Sequence, residues 1–220
     1  MTEIRDRHRL TLVQQAAVAR VAYAAERAAA VVLLCGPAGV GKTLVLGSVA
    51  AARPLESRSP ALTTPDGAGL LLSVSNPDAV PGILLVDDAH LAGERQLADL
   101  IAQHRGRRPD GAVVLAGEGR LLSLVARDSR LEQAVALRAT LPPFTLDESR
   151  MLVASKLVAA GSPEERDRVA RTIHEIAAGI PAMVARLADL AALFAAADPG
   201  RTLLPDDIET IHRRLSLQAA

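Results

Sequence analysis

The stretch Gly36-Pro37-Ala38-Gly39-Val40-Gly41-Lys42-Thr43 decides how the rest of this sequence is interpreted. Its pattern is G-x-x-x-x-G-K-T, in which glycines let successive backbone N–H groups turn inward around a phosphate. The Lys42 ammonium is expected to reach the β- and γ-phosphate oxygens, and the Thr43 hydroxyl to bind Mg²⁺. Chance produces this pattern in about one in a thousand sequences of such composition. We therefore predict that these residues, together with Leu44, bind the phosphates of a nucleotide.

The residues on either side of this loop predict the secondary structure that a phosphate loop needs. Ala30–Cys35 is a continuous apolar run rich in Val and Leu, which is typical of a strand buried on both faces. Lys42–Ala52 has helical spacing, so the N-terminal dipole of a helix is expected to add to the attraction for phosphate. The chain otherwise uses arginine, since Lys42 and Lys156 are its only lysines. A compact ammonium is thus retained where it suits phosphate oxygens.

A second apolar run, Ile83–Val86, ends in the acids Asp87 and Asp88. This pattern predicts a strand whose first carboxylate holds Mg²⁺ through water and whose second polarises the attacking water. A strand that simply ends in a solvated turn is the plainer alternative, with odds of about one in ten beside such a loop. The second position more often carries Glu. The shorter Asp88 is therefore expected to hold its carboxylate further from that water.

Strands and helices alternate as far as Pro142-Pro143. We predict further helices over 10–27, 91–104 and 121–125, and further strands over 112–116 and 135–141. The first helix is expected to place on one side the apolar residues Leu12, Ala16, Ala19, Val21 and Tyr23. Between 53 and 81 we predict one short strand near Ala61 and one short helix near Leu70. Such alternation is typical of a parallel sheet with helices on both faces, the α/β architecture of a P-loop NTPase.

After Pro143 only helices are predicted. Thr145 with Glu148, and Ser162 with Glu165, have the spacing of capping boxes. The turn Gly179-Ile180-Pro181 begins a third helix, and a fourth is expected over 206–215. We therefore predict two domains: an α/β nucleotide-binding domain over 1–142 and a small all-α lid over 143–220.

Composition excludes several other classes of protein. Twenty-five basic residues balance 25 acidic ones, and only Tyr23, Phe144 and Phe194 are aromatic, so nucleic-acid binding by this chain alone is not predicted. The single cysteine, Cys35, excludes an internal disulfide and is expected to be a small core residue. No uncharged apolar run reaches the ~18 residues of a membrane span, so we expect no membrane insertion and a cytoplasmic location.

The motifs Gly36–Thr43, Val86–His90 and Val114–Glu118 follow in the order found in AAA+ ATPases, which this chain resembles from about residue 8 to 215. More narrowly it is similar to the ExeA-type (general secretion pathway A) group and the related transposition ATPases. That resemblance implies a sensor position at Glu118, where the group carries Gln, and places Pro181 in the site, because the G-x-P turn of the group lies over the nucleotide. A weaker likeness links 87–90 to STAND NTPases.

Two arginines of that group are missing here. The arginine offered to a neighbouring subunit's γ-phosphate would fall at Ala134, and the arginine after the G-x-P proline at Ala182 or Met183. An arginine finger contributes ~10³–10⁵ to the rate. Arg138 and Arg130 are the alternatives, although ordinary surface roles are more frequent for arginine by about three to one.

Two functions of different classes follow. The first is an ATPase that uses Mg-ATP to drive or switch a partner complex, with slow intrinsic hydrolysis and with Asp88 and Glu118 as catalytic residues. The second is a non-hydrolysing, ATP-dependent switch or scaffold that acts through oligomerisation or docking to a protein partner. His90, beside Asp88, either contacts the attacking water or has a structural role.

Overall fold

The computed structural model describes residues 10–51, 60–65, 82–157, 162–198 and 201–218. Five strands are present in these ranges: β1 Val31–Cys35, β2 Pro60–Thr63, β3 Ile83–Val86, β4 Ala112–Gly117 and β5 Val135–Thr140. The helices are α1 Leu12–Ala24, α2 Lys42–Ala51, α3 Glu94–Arg107, α4 Gly119–Arg127, α5 Ser129–Ala134, α6 Leu146–Lys156, α7 Pro163–Ile176, α8 Pro181–Ala197 and α9 Pro205–Gln218. A 3-10 turn, Ala89–Leu91, follows β3.

The five strands form one sheet in the order β2-β3-β4-β1-β5, and every pair is parallel. The register pairs Val31 of β1 with Val113 of β4, and Cys35 with Gly117. Because the strands are parallel and in this register, the carboxyl ends of β1, β3 and β4 meet at one edge of the sheet. The phosphate loop, the acidic pair and Glu118 each follow one of these ends.

Helices cover the sheet on both faces because its central strands are apolar throughout. All residues of β1, β3 and β4 are buried. Alternate residues of β1 pack into one core cluster with side chains of α3, α4 and α5, among them Leu97, Leu121 and Leu131. Helices α1 and α2 contact the strands β1, β5, β2 and β4. The predicted fold class, a P-loop NTPase sheet followed by a helical part, is confirmed.

The buried side of α1 differs from the prediction. Leu12 and Tyr23 are 82% and 76% exposed, whereas Gln14, Ala17, Val21 and Ala24 are buried. Gln14 is buried despite its amide because its Oε1 accepts from Thr11 N (3.1 Å), while Thr11 Oγ1 accepts from Gln14 N (3.3 Å). A polar residue satisfied in a capping box can therefore occupy the buried side of a helix.

Two smaller features of the secondary structure differ from the prediction, and one predicted helix is not tested. The helix predicted over 91–104 consists of the 3-10 turn followed by α3, which begins only at Glu94. Helix α5 was not predicted, and its N-cap is Asp128, whose side chain accepts from the backbone N–H groups of Arg130 and Leu131. The short helix expected near Leu70 lies outside the described residues, whereas the strand expected near Ala61 is β2.

The described residues fall into two compact units, one within Met1–Pro37 and Gly41–Leu141 and the other within Ala38–Val40 and Pro142–Ala220. In the second unit, α6 to α9 enclose a core that includes Val153, Ile173, Leu187 and Ile208. Both predicted capping boxes are present at the starts of α6 and α7. Within the described part of the chain, no helix is long and apolar enough to cross a membrane.

Candidate nucleotide-binding site

The loop after β1 has the backbone geometry that its glycines predict. Gly39 and Gly41 have φ angles of +77° and +98°, a region that residues with a side chain rarely adopt. Gly36 N donates to Gly117 O at 3.2 Å, which joins the start of the loop to the end of β4. The loop therefore begins at a fixed point on the sheet edge and turns sharply before α2.

Lys42 is buried, and two backbone carbonyl oxygens hold its ammonium. The residue is only 6% exposed, and its Nζ donates to the carbonyl oxygens of Gly36 (2.9 Å) and Pro37 (2.8 Å). Among the described residues, no carboxylate forms an ion pair with it. Burying a charge is costly unless an opposite charge compensates it. A positive charge held in this way fits an anionic ligand such as a nucleotide phosphate.

Thr43 and Asp87 come together from two different strand ends. Thr43 Oγ1 donates to Asp87 Oδ2 at 2.5 Å, although the residues are 44 positions apart. The Asp87 carboxylate is buried, its Oδ1 accepts from Asp88 N (2.9 Å), and Asp87 N donates to Thr63 O (2.8 Å). Hydroxyl and carboxylate oxygens are ligands that Mg²⁺ prefers. The pair thus fits the predicted metal position, with Oδ2 of the carboxylate held by the Thr43 hydroxyl and Oδ1 by the Asp88 backbone N–H.

Asp88 and Glu118, the predicted catalytic residues, lie near the same histidine. Asp88 has a left-handed backbone (φ 48°), and its side chain is 52% exposed. Glu118 precedes α4 as its N-cap residue, with its side chain 43% exposed. His90 Nδ1 lies 4.0 Å from Asp88 Oδ1, and His90 Nε2 lies 3.6 Å from Glu118 Oε1. The structure therefore brings together three residues from the ends of β3 and β4.

Gln14 is a site residue that sequence reasoning missed. A Cβ on Gly41 would lie 2.7 Å from Gln14 Nε2, so the amide of α1 packs directly on the loop backbone. The glycine is required both for its positive φ and for this close approach. The T-x-x-Q spacing of Thr11 and Gln14 was visible as a capping signal, but capping says nothing about which loop the helix contacts.

Pro181 begins α8, as the G-x-P turn predicts. Gly179 before it has φ +69°, and a Cβ there would lie 2.5 Å from Phe144 O, so only glycine fits. Ala182 N donates to Gly39 O at 3.1 Å; Gly39 is one of three loop residues that group with the second unit. Pro181 thus stands one residue from a contact to the tip of the loop.

The positions where the resemblance expects arginine differ in their surroundings. Ala134 is partly buried and packs against the core under α3 to α5, whereas Ala182 is exposed. Arg138 Nη2 pairs with Glu132 Oε1 at 2.5 Å, and Arg130 is exposed at the start of α5. Arg138 is therefore paired with an acid of its own chain in this structure.

Cys35 is buried at the end of β1. Burial raises the pKa of its thiol, and the charges of Lys42 and Arg138 lower it only in part. A thiol with a raised pKa stays protonated and unreactive near neutral pH. Cys35 is the small core residue that its apolar neighbours predicted.

The fold is that of an AAA+ P-loop ATPase. It is defined by the order of the strands, the glycine-rich loop after β1 and the two acids after β3. Among solved structures, the chain is similar to Aeropyrum pernix ORC2 in its ADPNP–ADP complexes, with a TM-score of 0.61, 13% identity and coverage of 95% of this chain and 70% of that one. It is also similar to a mutant of Thermotoga maritima RuvB, with a TM-score of 0.57, 16% identity and coverage of 90% and 65%. The chain is also similar to the FIGL-1 AAA domain in complex with ADP, with a TM-score of 0.55, 16% identity and coverage of 83% of this chain and 70% of that one.

These likenesses are of fold, since the sequences share less than a fifth of their residues with this chain. No protein-family model matches the sequence, and no curated protein matches it. The narrower ExeA-type likeness stays a prediction.

Proposed function

We propose that this protein binds ATP with Mg²⁺ at the loop Gly36–Thr43 and uses it as a slow ATPase to drive or switch a protein partner. Its α/β domain, over 1–142, supplies the site, and the helices over 143–220 act as a lid. A cytoplasmic location and self-association belong to the same proposal. The AAA+ fold supports the class, and the residues at the sheet edge support the ligand.

The observation that carries the proposal is the hydrogen bond from Thr43 Oγ1 to Asp87 Oδ2. It joins the residue after the P-loop lysine to the acid after β3, which are the two groups that the reaction class assigns to Mg²⁺. Lys42 contributes an ammonium with no described acidic partner, ready to contact phosphate oxygens. When bound, Mg²⁺ neutralises charge that develops on the phosphates.

Slow hydrolysis follows from what this chain offers to the attacking water. Asp88 is the acid that the motif assigns to the attacking water, and it is one methylene shorter than Glu. Ala134 and Ala182 supply no cation for the transition state. Binding is expected to survive these changes, because Lys42, Thr43 and the loop N–H groups act in the ground state as well.

The alternative function is a switch that binds ATP and does not hydrolyse it. The exposure of Asp88 favours it, because a half-exposed carboxylate without a described hydrogen bond is poorly fixed as a general base. In that case the nucleotide would serve to order the protein for self-association or partner docking.

Calorimetry and phosphate release separate these functions. Mg-ATP is titrated into the purified chain, and phosphate is then measured over hours at saturating ATP. Binding with turnover well below the ~1 s⁻¹ of ordinary enzymes supports the ATPase. Binding with no release above the rate of an Asp88→Asn variant supports the switch. Absence of any ATP binding would reject both.

A further inference from the structure

His90 lies between the two carboxylates assigned to catalysis. Its Nδ1 is 4.0 Å from Asp88 Oδ1, and its Nε2 is 3.6 Å from Glu118 Oε1. Among the residues that the structure describes, neither carboxylate has another side chain within ion-pair distance. One imidazole is thus the shared partner of two acids that come from the ends of β3 and β4.

The imidazole is held more firmly than the acids beside it. Its side chain is only 13% exposed, against 52% for Asp88 and 43% for Glu118. A Cβ on Gly117 would lie 3.1 Å from His90 Cβ and 3.2 Å from Nδ1, so the ring packs on the bare backbone of β4. The Arg120 guanidinium also donates to His90 O. The ring is therefore the fixed member of the group, and the acids are the members free to rotate.

The contacts of His90 are incomplete in the present geometry. Nδ1 is buried and has no hydrogen-bond partner among the described residues. Buried polar atoms nearly always have one. Distances of 4.0 and 3.6 Å exceed a hydrogen bond, so rotation of an exposed carboxylate is the smallest movement that supplies the missing partner.

We propose that His90 is a positioning residue for hydrolysis: its ring N–H groups orient Asp88 toward the attacking water and tie it to Glu118. The inference rests on the proposed function, in which Asp88 polarises that water. His90 itself does not contact the nucleotide in this scheme. A neutral ring has one N–H and serves one carboxylate, whereas a protonated ring has two and serves both.

Three substitutions at His90 test which nitrogen acts. His90→Phe keeps the ring shape without N–H groups, His90→Asn keeps a donor near Nδ1, and His90→Gln keeps one near Nε2. We expect His90→Phe to lower turnover roughly 10- to 100-fold, the effect of a misplaced catalytic group, while ATP affinity stays unchanged. His90→Asn should recover most of the rate. His212→Phe, on α9 in the second unit, is the matched control.

A double-mutant cycle and a spectroscopic measurement complete the test. If His90 acts through Asp88, His90→Phe should cause no further loss in an Asp88→Asn background. In ¹⁵N spectra of the ring, the Nδ1 resonance should shift in Asp88→Asn and the Nε2 resonance in Glu118→Gln. Wild-type turnover in His90→Phe, multiplying losses in the cycle, or unresponsive ring resonances would each overturn the inference. The spectra need no hydrolysis, so they test His90 even if the chain proves to be a switch or fails to bind ATP.

Discussion

Thr43 donates a hydrogen bond to Asp87 at 2.5 Å, so the hydroxyl that follows the P-loop lysine faces the carboxylate that follows β3. Asp87 also accepts from Asp88 N, which fixes the orientation of the carboxylate before any metal arrives. A ligand pair arranged in this way is preorganised for a divalent cation.

Removing the Asp87 charge should therefore weaken the effect of Mg²⁺ on ATP binding. Mg²⁺ is expected to raise the affinity for ATP. In Asp87→Asn we expect this increase to be smaller by a factor of roughly 10 to 100, because the charge of a ligating oxygen is lost. The Mg²⁺ effect is measured by calorimetric titration of ATP into the protein, once in the presence of Mg²⁺ and once in the presence of a chelator. Asp99→Asn on α3 is a matched control, since Asp99 is exposed and away from the strand end. An unchanged Mg²⁺ effect in Asp87→Asn would remove this residue from the metal site.

Lys42→Ala should abolish ATP binding while the fold is retained. Charge-assisted hydrogen bonds contribute about 1.5–3 kcal/mol each, so the loss of two corresponds to roughly 10²- to 10⁴-fold in affinity. The chain provides its own control in Lys156→Ala, the only other lysine, which pairs with Asp189 on the surface of the second unit. Circular dichroism verifies folding of both variants. Equal affinity in the two would mean that the loop is not the nucleotide site.

Asp88→Glu should raise turnover without tightening binding. The added methylene brings the carboxylate toward the attacking water, and general-base catalysis contributes about 10²–10⁴-fold where geometry is right. We expect at least a tenfold gain in phosphate release at saturating ATP. The isosteric control is Asp88→Asn, which should lower phosphate release below the wild-type rate without abolishing it. No gain in Asp88→Glu would show that position 88 does not limit the reaction.

Restored arginines should differ in how their effect depends on protein concentration. Ala182→Arg places a cation in the same chain, so its gain in turnover should be independent of concentration. Ala134→Arg acts on a neighbouring copy and should gain only where the protein self-associates. Because Ala134 packs partly buried against the core, the second variant should also unfold at a lower temperature. Turnover measured at several protein concentrations, together with thermal unfolding, distinguishes Ala182→Arg from Ala134→Arg. A concentration-independent gain in Ala134→Arg would contradict the prediction that position 134 acts on a neighbouring copy.

His104 should make the first unit less stable in mild acid. Burial lowers the pKa of its imidazole, and neighbouring Arg105 lowers it further, against a backbone hydrogen bond with Ala112. Below the ordinary value of about 6.5 the unfolded chain binds a proton that the folded chain refuses, so stability falls as pH falls, by at most about 1.4 kcal/mol per pH unit. Hydrogen exchange of β4 amides at pH 7.5 and 5.5 measures it.

The variant His104→Gln removes this titration and should flatten the dependence, whereas His212→Gln on α9 should leave it as it is. An equally steep dependence in His104→Gln would assign the effect to other groups.

The strands and the loop were predictable because their signals are local. Val31–Cys35 is apolar without interruption, and the glycine spacing at 36–43 allows few other structures. The exposed side of α1 was mispredicted because apolar residues alone do not define a buried side: Gln14 is buried where Leu12 is not. Its contact with Gly41 depends on how α1 lies against the sheet, which is long-range information. The grouping of His90 with Glu118 likewise depends on β3 and β4 being neighbours.

The position of β1 in the sheet affects how the protein folds during its synthesis on the ribosome. Its pairing partners β4 and β5 emerge roughly 80 and 105 residues after it, which takes about 5–20 s at ordinary rates of synthesis. Throughout that interval a wholly apolar strand has no neighbour to pair with, and such segments are prone to aggregate. Shielding of this segment would therefore lower the risk of aggregation during synthesis. The start of the nucleotide loop, although early in the sequence, cannot form its hydrogen bond from Gly36 N to Gly117 O until β4 has emerged.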